Sequence, residues 1–239
     1  IDLHAPGAGH NAAQSTFTEE LQFQGNTSDG KLNWQAGAYI ERSRPLGLSN
    51  MQTAIYLNCT DITSLACTNP MGVGFISDSA TKHKFDSTGF YAQATYKLTD
   101  KFSVTGGLRY TIDKTVAVGE TTRLLVTPGS NTPRIVCDDT IRFNSPDGPD
   151  ADTLPDPLTV NSRSQCHNEI EEKSEKPTWL IDIDYKPSDD VLLYAKYARG
   201  YRQGGVSMTN IGIESWGPEK VDSYEIGAKT SFRGQVSGY

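Results

Sequence analysis

Four cysteines are the residues of this sequence best able to form specific bonds. Cys59 and Cys67 lie in one polar, irregular stretch, and Cys137 and Cys166 lie in the next. Of the three connectivities that four cysteines allow, the local one, Cys59 with Cys67 and Cys137 with Cys166, is the simplest. An even cysteine count points to an oxidising compartment. Each bridge would stabilise its loop by about 2–4 kcal/mol. A metal centre would have to join Cys166 and His167 to the other cysteines. The close ligand pairs of a structural zinc site are missing, so neither a metal site nor a cofactor is assigned.

Other charged groups suggest weaker chemistry. Asp147, Asp150, Asp152 and Asp156 crowd an acidic stretch, and hard cations take several carboxylate oxygens. The glycine and closing glutamate of a calcium-binding loop are absent, so the stretch reads as a solvated acidic loop. Arg199 and Arg202 are candidates to attract an anionic ligand. Lys97, Arg109, Glu225 and Lys229 sit at polar positions of alternating runs. His4, His10, His83 and His167 are scattered. There is no Gly-x-Ser-x-Gly elbow, no phosphate loop and no His-Glu-x-x-His run. The chain therefore reads as a binding or transport protein and not as an enzyme.

The elements that must position these groups are strands. Leu32, Trp34, Ala36, Ala38 and Ile40 alternate with Asn33, Gln35, Gly37 and Tyr39. The same period of two, the mark of a strand with one apolar and one polar face, recurs in 90–98, 102–113, 179–186 and 224–232. Weaker examples are 15–24, with Glu19 on its apolar face, and 191–202, whose faces are not assigned by pattern. Another strand is expected from Val236 to Tyr239. The fold class is all-β, an antiparallel meander of about eight strands, and helical periodicity is lacking.

Connections alternate strictly between short and long. Gly25–Gly30, Thr99–Lys101, Pro187–Asp190 and Arg233–Gln235 are short and rich in turn formers. The stretches 43–84, 114–176 and 203–222 read as long and irregular. Compact soluble domains rarely carry such loops, whereas outer-membrane barrels pair short periplasmic turns with long extracellular loops. Trp34, Tyr96, Phe102, Tyr110, Trp179, Tyr185 and Phe232 lie near strand ends on the apolar faces, where barrels place aromatic girdles. Mean hydropathy is −0.49 and hydrophobic content 36%, with no run approaching the roughly 20 apolar residues of a membrane helix. Barrel strands escape that test because only alternate residues face lipid. The net charge of −7, with no basic run, argues against nucleic acid as a partner.

The pattern also resembles a family. Phe90-Tyr91-Ala92-Gln93-Ala94-Thr95-Tyr96-Lys97-Leu98-Thr99-Asp100-Lys101, followed by Gly106-Gly107-Leu108-Arg109-Tyr110-Thr111-Ile112-Asp113-Lys114, is similar to a barrel hairpin of TonB-dependent receptors. Lys176–Trp179 leading to Arg199–Gly205, Pro218–Thr230, and Thr18–Phe23 before Trp34–Gly37 resemble further strands of that family in the same order. The resemblance implies an outer-membrane receptor of a Gram-negative bacterium. Such a receptor binds a scarce nutrient, a ferric siderophore first and otherwise cobalamin, haem or an oligosaccharide, and imports it with energy from the TonB complex. Residues 1–239 would then be a segment of a barrel of about 22 strands, with the N-terminal plug, the TonB box and the C-terminal strands lying outside this sequence. Lys97, Arg109, Glu225 and Lys229 would face the lumen, and both disulfide loops would face outside. A passive porin-like barrel and a soluble carbohydrate-binding β-sandwich are the alternatives.

Overall fold

Alternating chemistry favours the extended backbone, in which successive side chains point to opposite faces. The computed structural model describes residues 3–4, 13–126, 132–137, 159–208 and 214–231, and every alternating run within that range forms a strand. The strand expected at Val236–Tyr239 and the acidic stretch at Asp147–Asp156 lie outside the described residues.

The short β1 (Leu3–His4) precedes the long pair β2 (Gln14–Asn26) and β3 (Leu32–Pro45). Three short strands, β4 (Ser49–Ile55), β5 (Asn58–Asp61) and β6 (Ala66–Thr68), lead to β7 (Phe75–Lys97) and β8 (Phe102–Leu125). After β9 (Arg134–Cys137), β10 (Thr159–Val160) and a single 3-10 turn at Arg163–Gln165 come β11 (His167–Ser188) and β12 (Val191–Arg202). The small β13 (Gly205–Val206) and β14 (Ser215–Trp216) are followed by β15 (Glu219–Thr230).

The long strands pair antiparallel in chain order, β2–β3–β7–β8–β11–β12–β15, as an uncrossed meander. Residues directly opposite one another share a face of the sheet. Leu21 opposes Ala38, Ala38 opposes Phe90, and Phe90 opposes Tyr110, so the apolar sets of four strands meet on one face. Leu108 opposes Trp179, Ile181 opposes Tyr197, and Tyr197 opposes Tyr224, which carries the same face to β15. No second layer covers it among the described residues: Leu21 is 59% exposed, Leu108 58% and Ile226 87%.

Short turns close this ladder at one end. Between β2 and β3 the Asp29 carboxylate accepts from the Thr27 hydroxyl and from the Lys31 amide at 3.1 Å, and Thr27 Oγ1 accepts the Leu32 amide at 3.1 Å. Between β7 and β8, Thr99 Oγ1 accepts the amides of Lys101 and Phe102 at 3.2 and 3.0 Å. A register shift between Tyr185 and Ser188 accommodates the third turn.

At the other end the strands run further than the hydropathy pattern suggests. The stretches read as irregular in the sequence contain much of β7, β8 and β11, which are 23, 24 and 22 residues long. A membrane strand needs only about 9–11 residues. Beyond the apolar zone alternation fades because both faces are polar or covered by loop, with Ser77, Ser79 and Thr81 on one face of β7 and Asp78, Lys82 and Lys84 on the other, so the ladder continues without its sequence signature. The β5–β6 hairpin covers one side there, packing Ile62 onto Ile76 and Leu124. Arg163 clips the same side, meeting Asp78 at 3.0 Å, Glu120 at 3.8 Å and Asn50 Oδ1 at 2.8 Å.

Cys59 and Cys67 oppose each other in β5–β6 and are bonded. Cys137 and Cys166 are also bonded, in a small cluster with Val160, and tie β9 to the start of β11. Non-reducing peptide mapping should recover these two linkages and no free thiol; four free thiols would contradict the structure. At the opposite end, the Thr27 hydroxyl and the Lys31 amide hold the Asp29 carboxyl below its ordinary range. Protonation is thus disfavoured in the folded turn, so its contribution is complete above the ordinary carboxylate pKa and is lost as pH falls through the lowered value. Hydrogen exchange at the Lys31 amide should accelerate more than the intrinsic rate predicts across that acid range, and Asp29→Asn should remove the effect.

Candidate functional site

The polar face of the meander gathers side chains that alternation alone keeps apart in sequence. Register places Lys97 opposite Ser103, Arg109 opposite Tyr91, and Glu225 opposite Lys196. With Lys229, opposite Leu192, these four residues all occupy the face away from Leu108 and Ile226. A cleft of about 560 Å³ lies over the middle of this face, lined by Gln22, Gln35, Tyr91, Gln93, Arg109 and Lys196 among others.

Arg109 is the centre of this arrangement. Its guanidinium lies 5.8 Å from the Tyr39 ring and its Nε donates to Thr111 Oγ1 at 3.0 Å. Around it, the Tyr91 hydroxyl donates to Glu20 at 2.7 Å and the Tyr39 hydroxyl donates to Glu41 at 2.8 Å. Two glycines let these side chains lie flat on the sheet. A Cβ at Gly89 would stand 2.6 Å from an Arg109 guanidinium nitrogen, and one at Gly37 would stand 2.6 Å from the Tyr91 hydroxyl. The cluster offers one cation, the Glu20 and Glu41 carboxylates, phenol rings and amides, a mixed polar lining for a ligand rich in hydrogen-bonding groups. The sequence identified Arg109 but not Tyr39, Tyr91 or the glycines, whose roles depend on cross-strand neighbours.

Towards the short turns, the Tyr194 hydroxyl donates to Glu225 at 2.6 Å and Lys229 lies 5.3 Å from the Tyr194 ring. Asp182 is nearby, with Oδ1 buried and without a hydrogen bond. Towards the long loops, the chain after β12 folds back over the polar face. The Tyr201 hydroxyl donates to Asp113, the Gly204 amide donates to Ser174 Oγ at 3.1 Å, and Val206 and Met208 bury Ala117. Among the described residues no group of histidine, cysteine and carboxylate side chains has the arrangement of a metal site.

Arg199 and Arg202, paired in the sequence reading as ligand-attracting groups, are separated by the register. Arg199 opposes both Trp179 and Asp222 and belongs to the apolar face. Its Nε and Nη2 reach the Asp222 carboxylate at 2.7 and 2.6 Å, and the guanidinium lies 4.9 Å from the Trp179 ring. Tyr197 donates to the same carboxylate at 2.9 Å. Arg199 is thus spent on neighbours of its own face. Arg202 remains exposed and approaches Glu219 at 3.9 Å.

The Arg109 packing predicts a cost for filling the glycine gap. Gly89→Val should destabilise the fold by about 1–3 kcal/mol, as overpacking does, while Gly47→Val, with open space around it, should be near neutral; denaturant unfolding of both variants tests this.

Comparison with known proteins fits this architecture. The family described as TonB dependent receptor-like, beta-barrel, matches residues 3–239. The structure resembles the ferric yersiniabactin uptake receptor FyuA from Yersinia pestis, with a TM-score of 0.58 and 15% identity over 92% of this chain and 26% of that one. It also resembles the siderophore receptor PiuA from Acinetobacter baumannii, with a TM-score of 0.51 and 17% identity over 92% of this chain and 29% of that one. The chain therefore spans little more than a quarter of these receptors. No curated protein matches the sequence. At such identities the two structures speak to the fold alone.

Proposed function

Because the chain belongs to the TonB-dependent receptor-like β-barrel family, we propose that it forms part of a Gram-negative outer-membrane receptor that binds a scarce nutrient and imports it. The observation that carries this reading is the uncovered apolar face. Leaving a large apolar side chain in water costs about 1.5–3 kcal/mol relative to burying it. Phe17, Leu21, Phe23, Phe90, Leu108, Ile181 and Ile226 are all exposed on that one face, a combined cost comparable with the whole stability of a folded domain, about 5–15 kcal/mol. Hydrocarbon removes the cost. The polar face then encloses the lumen, with Lys97, Arg109, Glu225 and Lys229 lining it.

The ligand we favour is a ferric siderophore. Such ligands carry many hydrogen-bonding groups, which Arg109, Tyr91 and the neighbouring glutamines of the cleft can meet, and the two solved receptors above are a ferric yersiniabactin uptake receptor and a siderophore receptor. Import draws on the TonB complex through an N-terminal plug and TonB box supplied by the rest of the receptor. No step requires bond chemistry in the ligand, so the protein is a carrier and not an enzyme.

Uptake of radiolabelled ferric siderophores by cells carrying or lacking the gene tests this directly. At least one siderophore should enter only with the gene present, and deletion of the TonB system should abolish that uptake. Gene-dependent uptake that persists without TonB, or the same unimpaired uptake of every siderophore without the gene, would contradict the proposal.

A further inference from the structure

We propose that the segment 201–208 is a two-position strap, folded over the polar face here and able to zip onto the unpaired outer edge of β11. The strands β8 and β12 flank β11 unequally. β8 pairs with it from His167 to Tyr185, whereas β12 pairs with it only from Ser188 back to Trp179, which opposes Arg199. Among the described residues, no strand therefore lies against the β12 side of β11 over 167–178.

The sequence explains where the pairing stops. Residues two apart in a strand direct their backbone polar groups to the same side, so Pro177 follows Trp179 on one edge of β11. A proline in a sheet turns its nitrogen to the side without a partner. That side is the β12 side, because the β8 ladder continues past Pro177, which opposes Tyr110. Tyr201 would meet Pro177 there and find no N–H. β12 instead parts from β11 after Arg199, which the Asp222 carboxylate and the Trp179 ring hold in place. Gly200 gives the turn-off its freedom.

Beyond that point the strap keeps the interrupted register without its backbone bonds. Continued past Arg199 opposite Trp179, the register would set Gly204 opposite Ser174 and Met208 opposite Ile170. The Gly204 amide does donate to Ser174 Oγ at 3.1 Å, and Ile170 packs against the cluster of Ala117, Val206 and Met208. The strap thus stands at the right height and is displaced sideways, over β8. There the Tyr201 hydroxyl donates to Asp113, and a Cβ at Gly119 would stand 2.7 Å from Met208 Cε. Folded in, the strap buries Val206 and Met208. Zipped, it exchanges that burial for backbone pairing along an edge that otherwise presents open donors and acceptors. The motion uncovers Asp113, Ala117 and Gly119, polar-face positions of β8 beyond Arg109. It is a property of the sheet, whatever ligand the receptor carries.

The test uses the receptor produced from its complete reading frame, in the membranes of its host, with the native disulfides intact. Cysteine pairs are oxidised in separate variants and the cross-links are quantified by peptide mapping. Gly119→Cys/Met208→Cys reports the folded-in position. Glu175→Cys/Gln203→Cys, directly opposite in the continued register, reports the zipped one, since Glu175 lies on the other face of β11 from the folded-in strap. Both should cross-link well above Glu169→Cys/Gln203→Cys, whose positions are far apart in either arrangement. Pro177→Val, which restores the missing N–H, should raise the 175/203 yield severalfold and lower the 119/208 yield. A 175/203 yield no greater than the control, yields that Pro177→Val leaves unchanged, or failure of 119/208 to cross-link would each overturn the proposal. Where a cysteine pair prevents insertion, hydrogen exchange at the amides of residues 171–175 is compared between the native sequence and Pro177→Val. Slower exchange in the variant supports the strap, and equal exchange overturns it.

Discussion

Everything in this structure depends on the antiparallel register of its long ladders. The β7–β8 ladder runs from Phe75 opposite Leu125 to Lys97 opposite Ser103 without a shift, and β8–β11 runs from His167 opposite Glu120 to Tyr185 opposite Phe102. Side chains alternate with a period of two, so a slip of one residue would turn every apolar group to the other face. The continuous ladder therefore sorts the chain into two chemistries. One face gathers aliphatic and aromatic side chains; the other gathers glutamines, tyrosines and charges.

That sorting explains features that look unrelated along the chain. The Arg109 cluster exists because Tyr39, Gly89 and Thr111 fall in one register row, as do Gly37, Tyr91 and Arg109 in the next. The Arg199–Asp222 pair exists because β12 and β15 carry these residues on the apolar face directly opposite each other. An exposed ion pair contributes little by itself. Here a bidentate carboxylate and the Trp179 ring hold the guanidinium among the apolar side chains of that face. Beyond the apolar zone the same ladder continues as a platform, with the β5–β6 hairpin and Arg163 on one side and the segment after Tyr201 on the other.

The sequence made the apolar zone, the antiparallel meander and its short turns legible. Leu32–Ile40 and Phe90–Leu98 announce their strands because one side of each is uniformly apolar. The extensions of β7, β8 and β11 were hidden, since polar side chains such as Ser77 and Ser79 on one face and Asp78 and Lys82 on the other pair in the ladder but show no contrast between faces. The local disulfides could be anticipated from spacing. The separation of Arg199 from Arg202 could not, because in 191–202 aromatic, small and charged residues occur on both parities, and only pairing with Trp179 and Asp222 fixes the faces. Tyr39 and Tyr91 were read as polar positions of their strands, but their convergence on Arg109 spans residues far apart in sequence.

The central claim is that adjacent residues of one strand look out on different media. Leu108 and Arg109 are the sharpest pair, neighbours in the chain on opposite faces of β8. Each can be replaced by cysteine in a background where the four native cysteines remain paired, spin-labelled in native outer membranes, and tested against oxygen and a water-soluble nickel complex. The account predicts strong collision with oxygen and little with nickel at position 108, and weak collision with oxygen at position 109. Equal access of the nickel complex to both positions, or a lipid-like profile at 109, would contradict it.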